Sequence, residues 1–188
     1  MSKIFNFKFS IFNKNPRSGF TVLESIVAVM ILSLAISGAF SAVQQGLSQS
    51  IIAKDEVKAF YLAQEAVELI RNKRDNNQLV FMNGGADSWL SGITDAPNCP
   101  PNKVCRADVV AHSLTLCGDN WESCPVLKQD QSTFLYSYTS GTNTNFKREI
   151  KIEPSTDPNE IKITVKIYWT KGIITRSFEF KTLLHDWI

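Results

Sequence analysis

Histidine is scarce in this chain of 188 residues: His112 and His185 are the only two, and neither stands in a metal-ligand spacing or beside a nucleophile motif. There is no P-loop, no dinucleotide-binding glycine fingerprint and no H-E-x-x-H pair. With no catalytic constellation to build on, the reading is of a non-enzyme with no cofactor and no metal site. Proline is missing between Phe20 and Asp75, so the strongest helix breaker is absent from that stretch. Acidic residues are missing from the first 19 positions, which hold Lys3, Lys8, Lys14 and Arg17. Setting those positions aside takes the basic count from 20 to 16 against 18 acidic residues, so the formal charge moves from +2 to −2. The basic character belongs to that short segment. A nucleic-acid footprint would need a basic patch on the domain itself, so a DNA partner finds no support in the sequence.

What is present begins with the run FTVLESIVAVMILSLAISGAF, Phe20 to Phe40, which carries a single charge, Glu24. About 20 apolar residues at ~1.5 Å each match a hydrocarbon core of ~30 Å. A secretory signal peptide would have a shorter apolar region and a small-residue cleavage site after it. A plain membrane anchor fits the length, with the basic flank Lys14 to Arg17 on the cytoplasmic side, but leaves Glu24 unexplained. An ionisable residue inside an apolar span is costly and is a functional candidate by default. Near a helix N-terminus it gains some dipole stabilisation. A cut before Phe20 would create an α-amine four residues from Glu24. On a neighbouring copy, that amine is the natural counter-charge.

The run Arg17-Ser18-Gly19-Phe20-Thr21-Val22-Leu23-Glu24-Ser25 resembles the class III signal of type IV prepilins and type II secretion pseudopilins. The resemblance implies cleavage between Gly19 and Phe20 by a membrane prepilin peptidase and N-methylation of the Phe20 amine. It implies that Glu24 guides assembly by pairing with a neighbour's amine. The partners it implies are other pilin subunits, the peptidase, an assembly platform protein, and membrane lipid before assembly. The expected location is the inner (cytoplasmic) membrane, single-pass with the C-terminal part outside, and then an extracellular filament.

Apolar periodicity continues beyond the span. Ala59, Ala63, Val67 and Ile70, flanked by Phe60 and Leu62, form one stripe. Lys54, Asp55, Lys58, Glu65 and Glu68 fall on the other faces. The expected helix runs from about Phe20 to about Asn72, roughly 50 residues or ~80 Å, with Arg71, Lys73 and Arg74 suited to its C-terminal end. Gly38 and Gly46 weaken it by about 1 kcal/mol each, read either as close packing or as a place for local melting during assembly.

From residue 77 to 131 the chain reads as a loop region punctuated by Gly84-Gly85, Pro97 and Pro100-Pro101. Trp89 and Leu90 are its apolar anchor, and a short strand is expected between Ala107 and Leu116. Cys99, Cys105, Cys117 and Cys124 lie here as C-x5-C and C-x6-C. That spacing is wider than zinc knuckles. An even count in a membrane-entering chain points to disulfides. Three pairings exist, and the two local ones are favoured.

Residues 132–188 read as strands. Phe134, Tyr136 and Tyr138 alternate, as do Phe146, Arg148, Ile150 and Ile152. Ile161, Ile163, Val165, Ile167 and Trp169 share a face. Asp157-Pro158-Asn159 and Thr170-Lys171-Gly172 supply turns. The expected fold is α+β, a long N-terminal helix packed on a C-terminal antiparallel sheet. The divisions are 1–19 leader, 20–47 membrane and filament-core helix, 48–76 amphipathic helix half, 77–131 cysteine-bearing loop and 132–188 sheet. The order helix, loop, sheet is itself similar to pilins, and the run from V-K-I-Y-W to H-D-W resembles minor pilins. The large loop, the cysteines and the tryptophans point to a minor subunit. The rival readings are a pilus-tip module binding DNA or a surface ligand, and a single-pass protein whose outer domain acts alone.

Overall fold

The computed structural model describes residues 19–86 and 88–187. The leader before Gly19, including Arg17 and Ser18 of the signal motif, lies outside the described residues. Two compact units divide the chain, one ending at Gln49 and the other beginning at Ser50.

A single helix, α1, spans Val22–Met82 and runs unbroken through Gly38 and Gly46. It ends ten residues beyond the expected Asn72. The reason lies in the side chains of the added turns. The Asn77 amide donates to the carbonyls of Trp89 (3.1 Å) and Ser91 (2.7 Å), and Gln78 donates to Asp186. These side chains tether the helix to a loop and to Asp186 near the C-terminus. Gly84, at φ 86°, supplies the left-handed stop, with its N–H on Phe81 and the Gly85 N–H on Val80. Arg71, Lys73 and Arg74 are therefore not at the C-terminus of α1, whose last turn holds no basic residue.

Eight strands follow: β1 (Val104–Asp108), β2 (Ser113–Gly118), β3 (Lys128–Gln129), β4 (Tyr136–Ser137), β5 (Thr142–Asn143), β6 (Phe146–Pro154), β7 (Glu160–Lys171) and β8 (Ile174–His185). Five form an antiparallel sheet in the order β2-β1-β6-β7-β8, and β4-β3-β5 form a small second sheet. The sheet thus draws two strands from the segment 77–131 that reads as loop. The single strand expected over Ala107 to Leu116 is instead a hairpin, because the chain reverses between Asp108 and Ser113. Asp108 drives that reversal by accepting the N–H groups of Val110 (3.1 Å) and Ala111 (3.0 Å). The expected alternation of Phe134, Tyr136 and Tyr138 shrinks to the two-residue β4, since Phe134 sits at φ 59° in a turn organised by Asp130.

The core lies between one stripe of α1 and one face of the five-stranded sheet. Ala59, Leu62, Ala63, Ala66, Val67, Leu69 and Ile70 meet Ile150, Ile152, Ile163, Val165, Ile167 and Trp169. Period-2 alternation on β6 and β7 aims these residues at the helix. Burying each such branched side chain stabilises by about 1.5–3 kcal/mol. One charge enters this layer. Arg148, fully buried on β6, donates to Glu65 (2.9 Å) and to the Leu62 carbonyl (3.3 Å) on α1, and to the Ala107 carbonyl (2.7 Å) on β1. Its guanidinium ties helix to sheet. Its Nε is the only buried side-chain polar atom among the described residues without a hydrogen-bond partner.

Candidate functional site

α1 begins two residues after Phe20. Thr21 is its N-cap: the Glu24 N–H donates to Thr21 Oγ1 (3.2 Å), and the Ser25 N–H donates to the Thr21 carbonyl (3.1 Å). Thr21 and Glu24 therefore stand at the spacing of a capping box. Sequence reasoning passed over this role of Thr21, although the T-x-x-E spacing ahead of an apolar run signals it. The cap sets Glu24 in the first turn, where the helix dipole favours a negative charge. Gly19 and Phe20 precede the helix and are exposed.

Every residue from Gly19 to Ile51 is exposed. The apolar side chains point in all directions around the axis: Ile26, Val29, Met30, Leu32, Leu34 and Phe40 are each at least 58% exposed. This one helix is long and apolar enough to cross a membrane. A helix apolar on every side is stable only when lipid or other helices surround it.

In the second unit, Cys99 pairs with Cys105 and Cys117 with Cys124, at Cα separations of 5.7 and 5.1 Å, and no described cysteine is free. The second disulfide closes a loop over the outer face of the sheet. There Glu149 accepts the N–H groups of Glu122 (2.6 Å) and Cys124 (2.7 Å), and Trp121 lies over the Lys166 ammonium at 4.6 Å. Burial pushes the Glu149 carboxyl above its ordinary range, and the two N–H donors pull against that shift. Elsewhere the Ser132 hydroxyl and the Thr133 and Ser132 N–H groups bring Asp130 down to about 2. Burial takes Tyr138, whose hydroxyl donates to the Arg148 carbonyl at 2.7 Å, up to about 12.

An open groove of about 460 Å³ lies between α1 and the β1–β2 turn, lined by Tyr61, Glu65, Leu69, Val109 and His112 among others. Its carboxylates are engaged, Glu65 by Arg148 and Glu68 by Arg71. His112 is in the turn between β1 and β2, at φ 49°. His185 closes β8, 3.5 Å from Glu160. No group of three or more His, Cys, Asp or Glu side chains able to hold a metal occurs among the described residues.

The sequence-derived site residues thus fall in two separate places: Gly19, Phe20 and Glu24 at the start of α1, and the four cysteines as two local staples in the second unit. No family model matches the chain, and neither the curated proteins nor the solved structures return a match.

Proposed function

We propose that this chain is a minor pilin or pseudopilin subunit, cleaved after Gly19 and polymerised through α1 into a type IV pilus or a type II secretion-like filament. The observation that carries the reading is the exposed, all-round apolar helix headed by one carboxylate. Lipid covers such a helix before assembly, and packed copies of the same helix cover it afterwards. Glu24 would be the one charge in that packing, and the N-methylated amine of Phe20 on a neighbour supplies the opposite charge. Pairing the two fixes the axial register between copies, because an unpaired carboxylate among apolar helices is strongly disfavoured. The disulfide-bearing domain fits an extracytoplasmic location, where oxidised cysteine pairs persist.

Mass spectrometry of the N-terminal peptide, on protein taken from its native membrane, tests this. A mature chain beginning at methylated Phe20 is expected. A chain that keeps the residues before Phe20 would overturn the reading in favour of a single-pass anchor with an independent outer domain.

A further inference from the structure

Strand β8 is one edge of the five-stranded sheet and pairs only with β7. Its twelve residues hold register with β7 from Glu160–His185 to Lys171–Ile174 without a bulge, and it contains no proline. Folded proteins ordinarily interrupt or cover such an edge, because a long regular edge is a template for another strand. The hairpin that leads into it has a two-residue turn, with Gly172 at φ 62°. In such hairpins the closing pair, here Lys171 and Ile174, exchanges both hydrogen bonds. Even-numbered residues of β8 therefore bond to β7, and the N–H and C=O groups of Thr175, Ser177, Glu179, Lys181 and Leu183 face outward. Arg74 takes the His185 carbonyl, so the open ladder ends near Leu183. On the helix side, Phe178 and Phe180 are only partly buried, and Phe60 of α1 meets Phe178 edge-on at 6.0 Å. The apolar layer between helix and sheet is thus open along this edge.

We propose that β8 is a homotypic docking edge: two copies of this chain join β8 to β8 antiparallel, with Phe180 on the two-fold axis. Charge selects this register. Outward groups must meet outward groups, so the axis falls on a single residue rather than between two. On Phe180, each Glu179 faces the partner's Lys181, and Ser177 faces the partner's Leu183. On Glu179, two carboxylates would meet directly, and on Lys181, two ammonium groups. Like charges directly opposite are destabilising. The Phe180 register also lies near the middle of the strand, pairs aromatic with aromatic on the helix side, and joins the same patch on both copies, as a closed dimer requires.

The contact has a directional consequence. Phe60 touches Phe178 and Arg74 touches His185, so α1 advances along β8 in the same sense. Antiparallel pairing of β8 sets the two α1 segments against each other, and the chain enters the two domains from opposite ends. The contact needs neither cleavage after Gly19 nor a filament, so its failure and that of the proposed function are separate results.

Full-length chain carrying Ser177→Cys or Leu183→Cys tests the register. Both positions are exposed, and the native cysteines are engaged in disulfides. In detergent under mild oxidant, the mixture of the two variants is expected to form cross-linked dimer, and neither variant alone is. On the Ser177→Cys/Leu183→Cys mixture, adding Glu179→Lys to both partners lowers the yield about tenfold, since it places like charges opposite at two symmetry-related sites. Combining Glu179→Lys with Lys181→Glu in the same chains restores it. No cross-link in the mixture, equal cross-linking by a single variant, or no recovery on charge exchange would overturn the β8 register.

Discussion

The first half of α1 carries the bulkier apolar residues, yet the second half is the buried one. Ile26, Met30, Leu32 and Leu34 are exposed all round the axis, whereas Ala59, Ala63 and Ala66 are fully buried. Side-chain size did not decide this. The described residues of the first half are exposed on every side, and the second half lies against the β6–β7 face. Small residues at Ala59, Ala63 and Ala66 let the helix approach the sheet closely, so the branched residues of the strands fill the gap. Apolar character says that a surface must be covered, and only the partner's identity says by what.

That contrast can be broken by mutations that compare the two halves. Unfolding of the second unit, followed by tryptophan fluorescence, measures each one. Arg148→Ala has the largest expected effect, a loss of about 3–5 kcal/mol, because two carbonyls and Glu65 lose a buried charged donor at once. Ile163→Ala, which opens a cavity facing the alanine stripe, is expected to cost about 3 kcal/mol. Replacing Cys117 and Cys124 by serine should cost about 2 kcal/mol, as a loop of this size suggests. Glu149→Gln acts mainly on pH dependence. The folded carboxyl titrates above its ordinary value of 4.5, so as pH rises from there the unfolded chain releases its proton first. Stability falls through that window and levels off once the folded carboxyl has ionised. The glutamine variant should flatten this fall. Ile31→Ala, in the first half, should change the stability of the second unit by less than about 0.5 kcal/mol. A loss as large as that from Ile163→Ala would show that the two halves are not separate.

Much of this was legible in the residues. The stripe Ala59, Ala63, Val67 and Ile70 is buried as its spacing predicts, and the alternating face from Ile161 to Trp169 points at it. Asp157-Pro158-Asn159 separates β6 from β7 where expected, whereas of Thr170-Lys171-Gly172 only Gly172 lies in the hairpin turn and the other two residues close β7. The α+β arrangement follows from these periodicities. Three features were hidden, each for a physical reason. Asn76-Asn77 looks like a helix end, because the bonds that Asn77 makes to Trp89 and Ser91 are not local. β1 and β2 alternate weakly, since Arg106 and Thr115 share a ladder pair and the reversal between them rests on one aspartate. Arg148 alternates with Phe146, Ile150 and Ile152, but what its charge pairs with was hidden, because its carbonyl partners on α1 and β1 lie far away in sequence. At the N-terminus, Thr21 was visible as a cap only through its spacing to Glu24.

The two disulfides join cysteines that are nearest neighbours in the sequence, Cys99 to Cys105 and Cys117 to Cys124. Closing a short loop is entropically easier than closing a long one, so the partner met first by diffusion is also the partner kept. Oxidation can therefore proceed segment by segment as the chain emerges, with no waiting for the distant strands and no reshuffling between the pairs. Each staple can thus be set while the sheet that it will brace is still unmade.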